Sequence, residues 1–349
     1  MPSSRSVFLH IGLPKTGTTY LQRVLHANRS ALQAQGLLYP GKRRDHFLPA
    51  HDVLAQPLRE YQDERAAGTW QETVREVADW PGPALISHDT FTVARVEQVR
   101  TVVAAFPDRP VELIVTARDL ARQLAATWQD AVKSGRSPTL TDYVARARAR
   151  ADDDPDSGFW FWQDLVGVLG RWQRAVPADR IHLVTVPPRG AGPDLLWHRF
   201  AEVLAIDLTP DQTADRSANR ALGKAETEFL RRLNADLGDS VERSAYRTYV
   251  KQFLARRVLP RSLQPDPIVL SPDDQAWAAA RSREVVQTLA AIPLQLHGDL
   301  ADLESPVATA EAVEVSDAAV VKVGVRAITQ LLLRIAGEQG TSTVRGRTS

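Results

Sequence analysis

HIGLPKTGTTYLQ, residues 10 to 22, decides how this chain is read. A short apolar run, VFLHI at 7 to 11, leads into a loop holding Gly12 and Gly17. A helical pattern follows, with Leu21, Val24 and Leu25 on one face. Strand, glycine loop and helix in that order turn the unpaired N–H groups of the helix start, and its dipole, toward an anion. The two glycines have the spacing of a Walker loop, in which a lysine follows the second glycine and reaches the β and γ phosphates. Here Thr18 and Thr19 follow Gly17, and Lys15 lies inside the loop. Its ammonium is therefore expected near the first phosphate, so one phosphate with one bridging leaving oxygen fits better than a triphosphate.

Three further apolar runs read as buried strands, ALIS at 84 to 87, VELIVTA at 111 to 117 and IHLVTV at 181 to 186. Helical patterns lie between them, including one that carries Val93, Val96, Val99 and Val103. Alternation of strands and helices predicts an α/β fold, with a central parallel sheet covered by helices on both faces. After Val186 the strand signals stop, and 195 to 205, 222 to 237 and 275 to 292 read as a helical C-terminal region. The expected organisation is a catalytic domain over 1–304, with core strands over about 7–186 and the helical part over about 195–304. Residues 305–349 follow as a linker, an amphipathic helix VGVRAITQLLLRIAG and a flexible polar tail.

The first crossover is the longest, and its middle, YPGKRRDHFLPAHDVLAQP, is rich in proline, histidine and charge. It reads as an insertion over the C-terminal edge of the sheet, where open α/β sheets bind ligands. Lys and Arg number 43 against 42 Asp and Glu, so no global field draws the chain to nucleic acid or to an anionic surface. With no cysteine, thiolate catalysis, disulfides and cysteine-ligated zinc are excluded. No run approaches the roughly 18 apolar residues of a spanning helix. The N-terminus enters a strand without a signal-peptide pattern, so a soluble cytoplasmic protein is expected. Abundant Ala and Arg with a single Met suggests a GC-rich bacterial genome.

PKTGTT directly after a first strand resembles the 5′-phosphosulfate loop of sulfotransferases that use 3′-phosphoadenosine 5′-phosphosulfate, PAPS. The resemblance spans roughly residues 5 to 235. It implies that Pro14, Lys15, Thr16, Gly17, Thr18 and Thr19 hold the phosphosulfate, with Lys15 on the oxygen between phosphate and sulfate. It also implies a P-loop-like three-layer fold and release of 3′,5′-ADP without a metal. The segment VTARDLARQLAATWQD matches the part of the family that grips the 3′-phosphate, and its arginine carries over to Arg118. The family's serine eight residues on is Ala126 here, so neighbouring Thr127 is the substitute, and Leu120 replaces a proline. Trp128, Arg122 and Gln123 read as packing or surface residues. The family's glycine-rich RKGxxG is absent, and DRSANRALGKAE at 215 to 226, with Arg216, Ser217 and Asn219, is a weak stand-in.

A base must take the acceptor's proton, and LISHDTF places His88 and Asp89 at the end of the second strand, where the resemblance implies a catalytic histidine or glutamate. Adjacent strand residues face opposite ways, so one of the pair is the base, with His88 first because its ordinary pKa lies near neutrality. Asp89 or Thr90 then caps the next helix. His10, His46 and His51 are alternates: His10 is expected to be buried and hydrogen-bonded, and the other two lie in the polar insertion. The function so read is a PAPS-dependent sulfotransferase acting on a hydroxyl or amine of a small-molecule or carbohydrate acceptor, with no nucleic acid or integral membrane partner. The alternatives are a P-loop kinase or nucleotide hydrolase, which needs Mg²⁺ and which the displaced lysine opposes, and a nucleotide-binding homologue without catalysis.

Overall fold

The computed structural model describes residues 5–54, 64–151, 158–192, 194–209, 222–260, 266–305 and 315–345. Strand β1 (Val7–Gly12) is followed by α1 (Thr18–Ala27), α2 (Arg29–Ala34), α3 (Phe47–Val53) and α4 (Thr69–Asp79) before β2 (Ala84–Ser87). Helix α5 (Val96–Ala104) leads to β3 (Val111–Ala117), and α6 (Leu120–Lys133), α7 (Leu140–Ala149), α8 (Gly158–Gln163) and α9 (Leu165–Trp172) precede β4 (Ile181–Thr185). Then come α10 (Leu195–Leu204), α11 (Lys224–Leu237) and α12 (Arg243–Ala245), which continues as a π-helix over Tyr246–Val258. Helix α13 (Pro272–Ala290), β5 (Gln295–His297) and α14 (Asp317–Arg345) complete the order.

The chain divides into two compact units. The first is drawn from Met1–Gln123, Arg146–Ala214 and Asp273–Val307, and it holds the sheet, in the order β2-β1-β3-β4-β5. Every neighbouring pair in it is parallel. Successive β1 side chains go to opposite faces: Val7, Leu9 and Ile11 join one apolar cluster with α9, while Phe8 joins another with α1 and α10. Helices therefore cover both faces, and β1 to β4 are buried throughout, as apolar parallel strands require. This is the expected α/β fold with its three layers.

The strands do not end at Val186. The fifth, Gln295–His297, is short, polar and largely exposed, so it lacks the apolar run that reveals a buried strand. The helix expected to run through Val93 and Val96 is two elements, a 3₁₀ turn at Asp89–Val93 and then α5, separated by the extended residues Ala94 and Arg95. The inserted crossover runs along the outer edge of β2: Leu38 bridges to Ala84, and the His46 N–H donates to the Ser87 carbonyl at the strand's end. Its histidines do not face solvent, since His46 and His51 are both buried.

The second unit comprises Leu124–Ala145, Asp215–Pro272 and Ala308–Ser349. Its core joins Trp128, Val132, Leu230, Leu254, Val258 and Val323, so the side of α14 that carries Val320, Val323 and Ala327 is buried. Arg326 pairs with Glu226 at 3.1 Å, and Arg232 pairs with Asp317 at 2.8 Å. The amphipathic stretch read from the sequence is thus part of a longer helix.

Candidate functional site

The turn from β1 into α1 needs two left-handed glycines and one left-handed lysine. Gly12 has φ 88°, and a Cβ there would lie 2.9 Å from the Asp89 Cβ, so only glycine lets the end of β2 approach the loop this closely. Gly17 has φ 92° and is the N-cap residue of α1, so no side chain caps that helix start, and its first turn holds no acidic residue. Lys15, half-buried, has φ 67°, a conformation that costs a side-chain-bearing residue about 1–3 kcal/mol and persists only when its surroundings impose it. Pro14 and Thr19 are half-buried, and Thr18 is buried.

The Thr16 hydroxyl points inward and starts a hydrogen-bond chain whose polarity is fixed at every step. It donates to the Leu13 carbonyl at 2.5 Å, so it accepts from the Thr116 hydroxyl at 2.6 Å. Thr116 must then accept from His10 Nε2, at 3.3 Å, which places the proton of His10 on Nε2. His10 Nδ1 accepts in turn from the Ser87 hydroxyl at 2.8 Å, and the Gln22 amide donates to Ser87 Oγ and to the Ser87 carbonyl. From the same residue the Ser87 N–H donates to His46 Nδ1 at 3.1 Å, and His46 Nε2 donates to the Pro40 carbonyl at 3.0 Å. Burial, and then the neighbouring His88, lower the His10 pKa to about 3, and burial foremost lowers His46 to about 4. Both imidazoles are therefore neutral structural groups, and His10 is buried and hydrogen-bonded as expected.

At the end of β2, the capping duty falls on a different residue from those read in the sequence. The cap of the 3₁₀ turn is His88, whose Nδ1 accepts from the Thr90 N–H at 3.0 Å, and not Asp89 or Thr90. A contact of 3.5 Å joins the same Nδ1 to Asp89 Oδ1. One nitrogen cannot accept from one partner and donate to the other, and the shorter contact to an obligate donor prevails while His88 is neutral. Its proton then sits on Nε2, and its one lone pair is occupied. Asp89 is 30% exposed, and its other oxygen lies 3.5 Å from the Thr18 hydroxyl at the start of α1.

Arg118 emerges from β3. Its Nε donates to Gln123 Oε1 at 3.1 Å and its Nη2 to the Arg122 carbonyl at 3.0 Å. Asp119, buried at the start of α6, pairs with Arg122 instead, so no described carboxylate lies within ion-pair distance of Arg118. Burial, and then Arg122, lower the Arg118 guanidinium to about 10, which leaves it charged at neutral pH. A cleft of about 280 Å³ adjoins it, lined among others by Leu13, Trp160, Gln163, Asp164 and Arg281.

The first unit thus brings Lys15, Thr18, Asp89 and Arg118 to the C-terminal ends of β1, β2 and β3. Thr127 belongs to the second unit and donates to the Leu124 carbonyl at 3.1 Å. Arg216, Ser217 and Asn219 lie outside the described residues. Gln22, Gln123 and Gln163 carry no motif that marks them for the site, yet each is buried and each holds backbone there. Their signal in the sequence is an amide at a core-facing helical position. Among the described residues no group of three or more His, Asp or Glu could hold a metal ion, and no helix is long and apolar enough to cross a membrane.

No protein-family model and no curated protein matches the chain. Among solved structures, a sulfotransferase from Alicyclobacillus acidocaldarius is similar at 16% identity over 60% of this chain and 86% of that one, with a TM-score of 0.40. A likeness this loose says nothing about which residues act or on what.

Neutral His10 and His46 make stability depend on pH. Their folded pKa values lie below the ordinary 6.5, so the unfolded chain binds the extra protons and stability falls as pH drops from about 6.5 toward 4. Each histidine contributes a slope of up to about 1.4 kcal/mol per pH unit in that window. Denaturant titrations at pH 7 and 5 should show the loss, and His46→Gln, which has an oxygen to accept from Ser87 N–H, should reduce proton uptake on unfolding at pH 5 by about one. An unchanged uptake would show that His46 titrates normally in the folded protein.

Proposed function

We propose that the chain is a sulfotransferase that moves a sulfuryl group from PAPS to a hydroxyl or amine of a small-molecule or carbohydrate acceptor. The observation that carries this reading is the loop: PKTGTT joins a buried parallel strand to an uncapped helix start, with its only lysine inside the turn and held in a left-handed conformation. A lysine so placed suits charge developing on an oxygen beside the first phosphate, and does not suit the end of a triphosphate. Arg118, a cation met by neutral oxygens at the neighbouring strand end, suits a second phosphate, which a guanidinium can grip with two parallel hydrogen bonds.

In this reading the acceptor oxygen attacks sulfur while the bond from sulfur to the bridging oxygen breaks, and that oxygen leaves as a phosphate oxygen of 3′,5′-ADP. Lys15 and the N–H groups of the helix start stabilise the charge that appears there. The proton leaves the acceptor for a base. We assign that role to Asp89, because its carboxylate is partly open and stands beside Thr18, whereas the lone pair of neutral His88 is engaged by Thr90. This reverses the preference drawn from ordinary pKa values. Thr127 is proposed as a 3′-phosphate ligand on the resemblance alone.

One calorimetric series tests the reading: PAPS and 3′,5′-ADP should bind, and Mg²⁺ should not create affinity for ATP. Affinity for ATP only with Mg²⁺ would replace the reading with a kinase or hydrolase, and nucleotide binding with no turnover on any acceptor would replace it with an inactive homologue. Lys15→Ala should keep the fold and cost about 10²–10³ in kcat, the usual loss of a preorganised charge contact in a transition state. Arg118→Ala should weaken 3′,5′-ADP far more than 5′-AMP, and equal losses would make it structural. For the base, Asp89→Asn should lower kcat by about 10²–10⁴ with 3′,5′-ADP affinity retained. His88→Asn, which keeps a capping acceptor, should stay within about threefold of the parent. The opposite pattern would return the base to His88.

A further inference from the structure

Two buried amides connect the Arg118 side chain to the loop that carries Lys15. Arg118 can only donate, so Gln123 must turn its Oε1 toward the guanidinium. Its NH₂ group then faces the other way, where it donates to the Pro14 carbonyl and to Gln163 Oε1, each at 2.5 Å. Gln163 Nε2 donates to the same Pro14 carbonyl at 3.3 Å. Both glutamines are almost fully buried, in the wall of the cleft that adjoins Arg118. The Pro14 carbonyl belongs to the peptide group that precedes Lys15, and its direction sets the orientation of the Lys15 N–H and the start of the left-handed turn. Lys15 is one of two described non-glycine residues with positive φ, and this doubly held carbonyl is one constraint adjoining it.

We infer that Gln123 is a positioning residue which couples the two phosphate sites: an anion on Arg118 fixes the guanidinium, which fixes the Gln123 amide, which fixes the peptide carrying Lys15. The inference rests on the sulfotransferase reading, and it adds a specificity device to it. A donor that lacks the 3′-phosphate leaves Arg118 unengaged and the Lys15 turn less firmly held, so it loses turnover as well as affinity. The chemistry also fixes the residue type. Glutamate at 123 would neutralise Arg118 and set a carboxylate oxygen against the Pro14 carbonyl, and leucine would leave that carbonyl with Gln163 as its remaining amide donor. Gln163 bonds to Gln123 and to the loop carbonyl, so it supports the loop and reaches the guanidinium only through Gln123.

The test uses the full chain and the variants Gln123→Leu, Gln123→Glu and Gln163→Leu, each checked by thermal unfolding. Amide hydrogen exchange without ligand reads the clamp directly: Gln123→Leu and Gln163→Leu should both speed exchange over residues 12 to 19, by about tenfold, and leave β3 unchanged. Calorimetry with 3′,5′-ADP and 5′-AMP then reads the coupling. Gln123→Leu should lower affinity for 3′,5′-ADP about tenfold more than for 5′-AMP, whereas Gln163→Leu should lower both by the same factor. Gln123→Glu should show the selectivity loss even if Gln123→Leu folds poorly. Unchanged exchange in the loop of a folded Gln123 variant overturns the clamp. Faster exchange with unaltered selectivity overturns the coupling, and a parent protein that binds neither nucleotide overturns the sulfotransferase reading and the coupling with it, while the exchange result still decides the clamp.

Discussion

The chain of hydrogen bonds that begins on the Leu13 carbonyl and ends on the Pro40 carbonyl is the constraint on which the rest of the site depends. Both ends are acceptors only, so the protons between them have one arrangement that satisfies every group. The chain crosses from the loop to β3, β1 and β2 and on into the inserted crossover. It sits where parallel strands end and their last side chains would otherwise bury unmatched polar atoms. A buried hydroxyl or imidazole without a partner costs about 1–3 kcal/mol, so each link is kept by the cost of breaking its neighbour. The result is a rigid floor under the loop, built from neutral groups. It carries no charge that would compete with a ligand above it.

Above that floor the charged groups are few and separately held. The Arg122 cation is matched by Asp119, which leaves Arg118 facing neutral oxygens. Asp89 stands beside Thr18 at the start of α1, close to the loop that Lys15 belongs to. Its carboxylate is kept near by the close packing of Gly12 against its Cβ. A molecule with almost no net charge can in this way present two cations and one carboxylate at adjacent strand ends. The local arrangement does what the overall composition does not.

Much of this is legible in the sequence, and the parts that are not have physical causes. Four buried strands announce themselves by apolar runs, and the loop announces itself by Gly12 and Gly17, because few sequences other than turns need such residues there. The fifth strand, Gln295–His297, does not, since an exposed edge of three residues has no apolar face to display. The break between Val93 and Val96 is hidden because a 3₁₀ turn and a helix can share one apolar periodicity. His88 and Asp89 stand out as a pair, but their duties depend on which imidazole nitrogen meets a backbone N–H, and no spacing encodes that. Gln123 reads as packing or surface because an amide in a helix is usually solvated. Here it is buried, and a buried amide on a helix is the signal that an acceptor must be waiting inside.

The loop is held in two physically different ways. A left-handed lysine cannot be stabilised by its own side chain, because the strain lies in the backbone on either side of Cα. Glycine at that position would relieve the strain and would also remove the ammonium, so a chain that needs both the turn and the charge must supply the constraint from elsewhere. Thr16 supplies it from below, through the Leu13 carbonyl and Thr116, and Gln123 and Gln163 supply it from the side, through the Pro14 carbonyl. The first support belongs to the neutral floor and is indifferent to what binds above. The second ends on Arg118, a guanidinium met by neutral oxygens. Under the coupling inferred above, a loop with one fixed support and one that ends on a cation is pre-formed, and its lysine is most firmly placed when an anion holds Arg118.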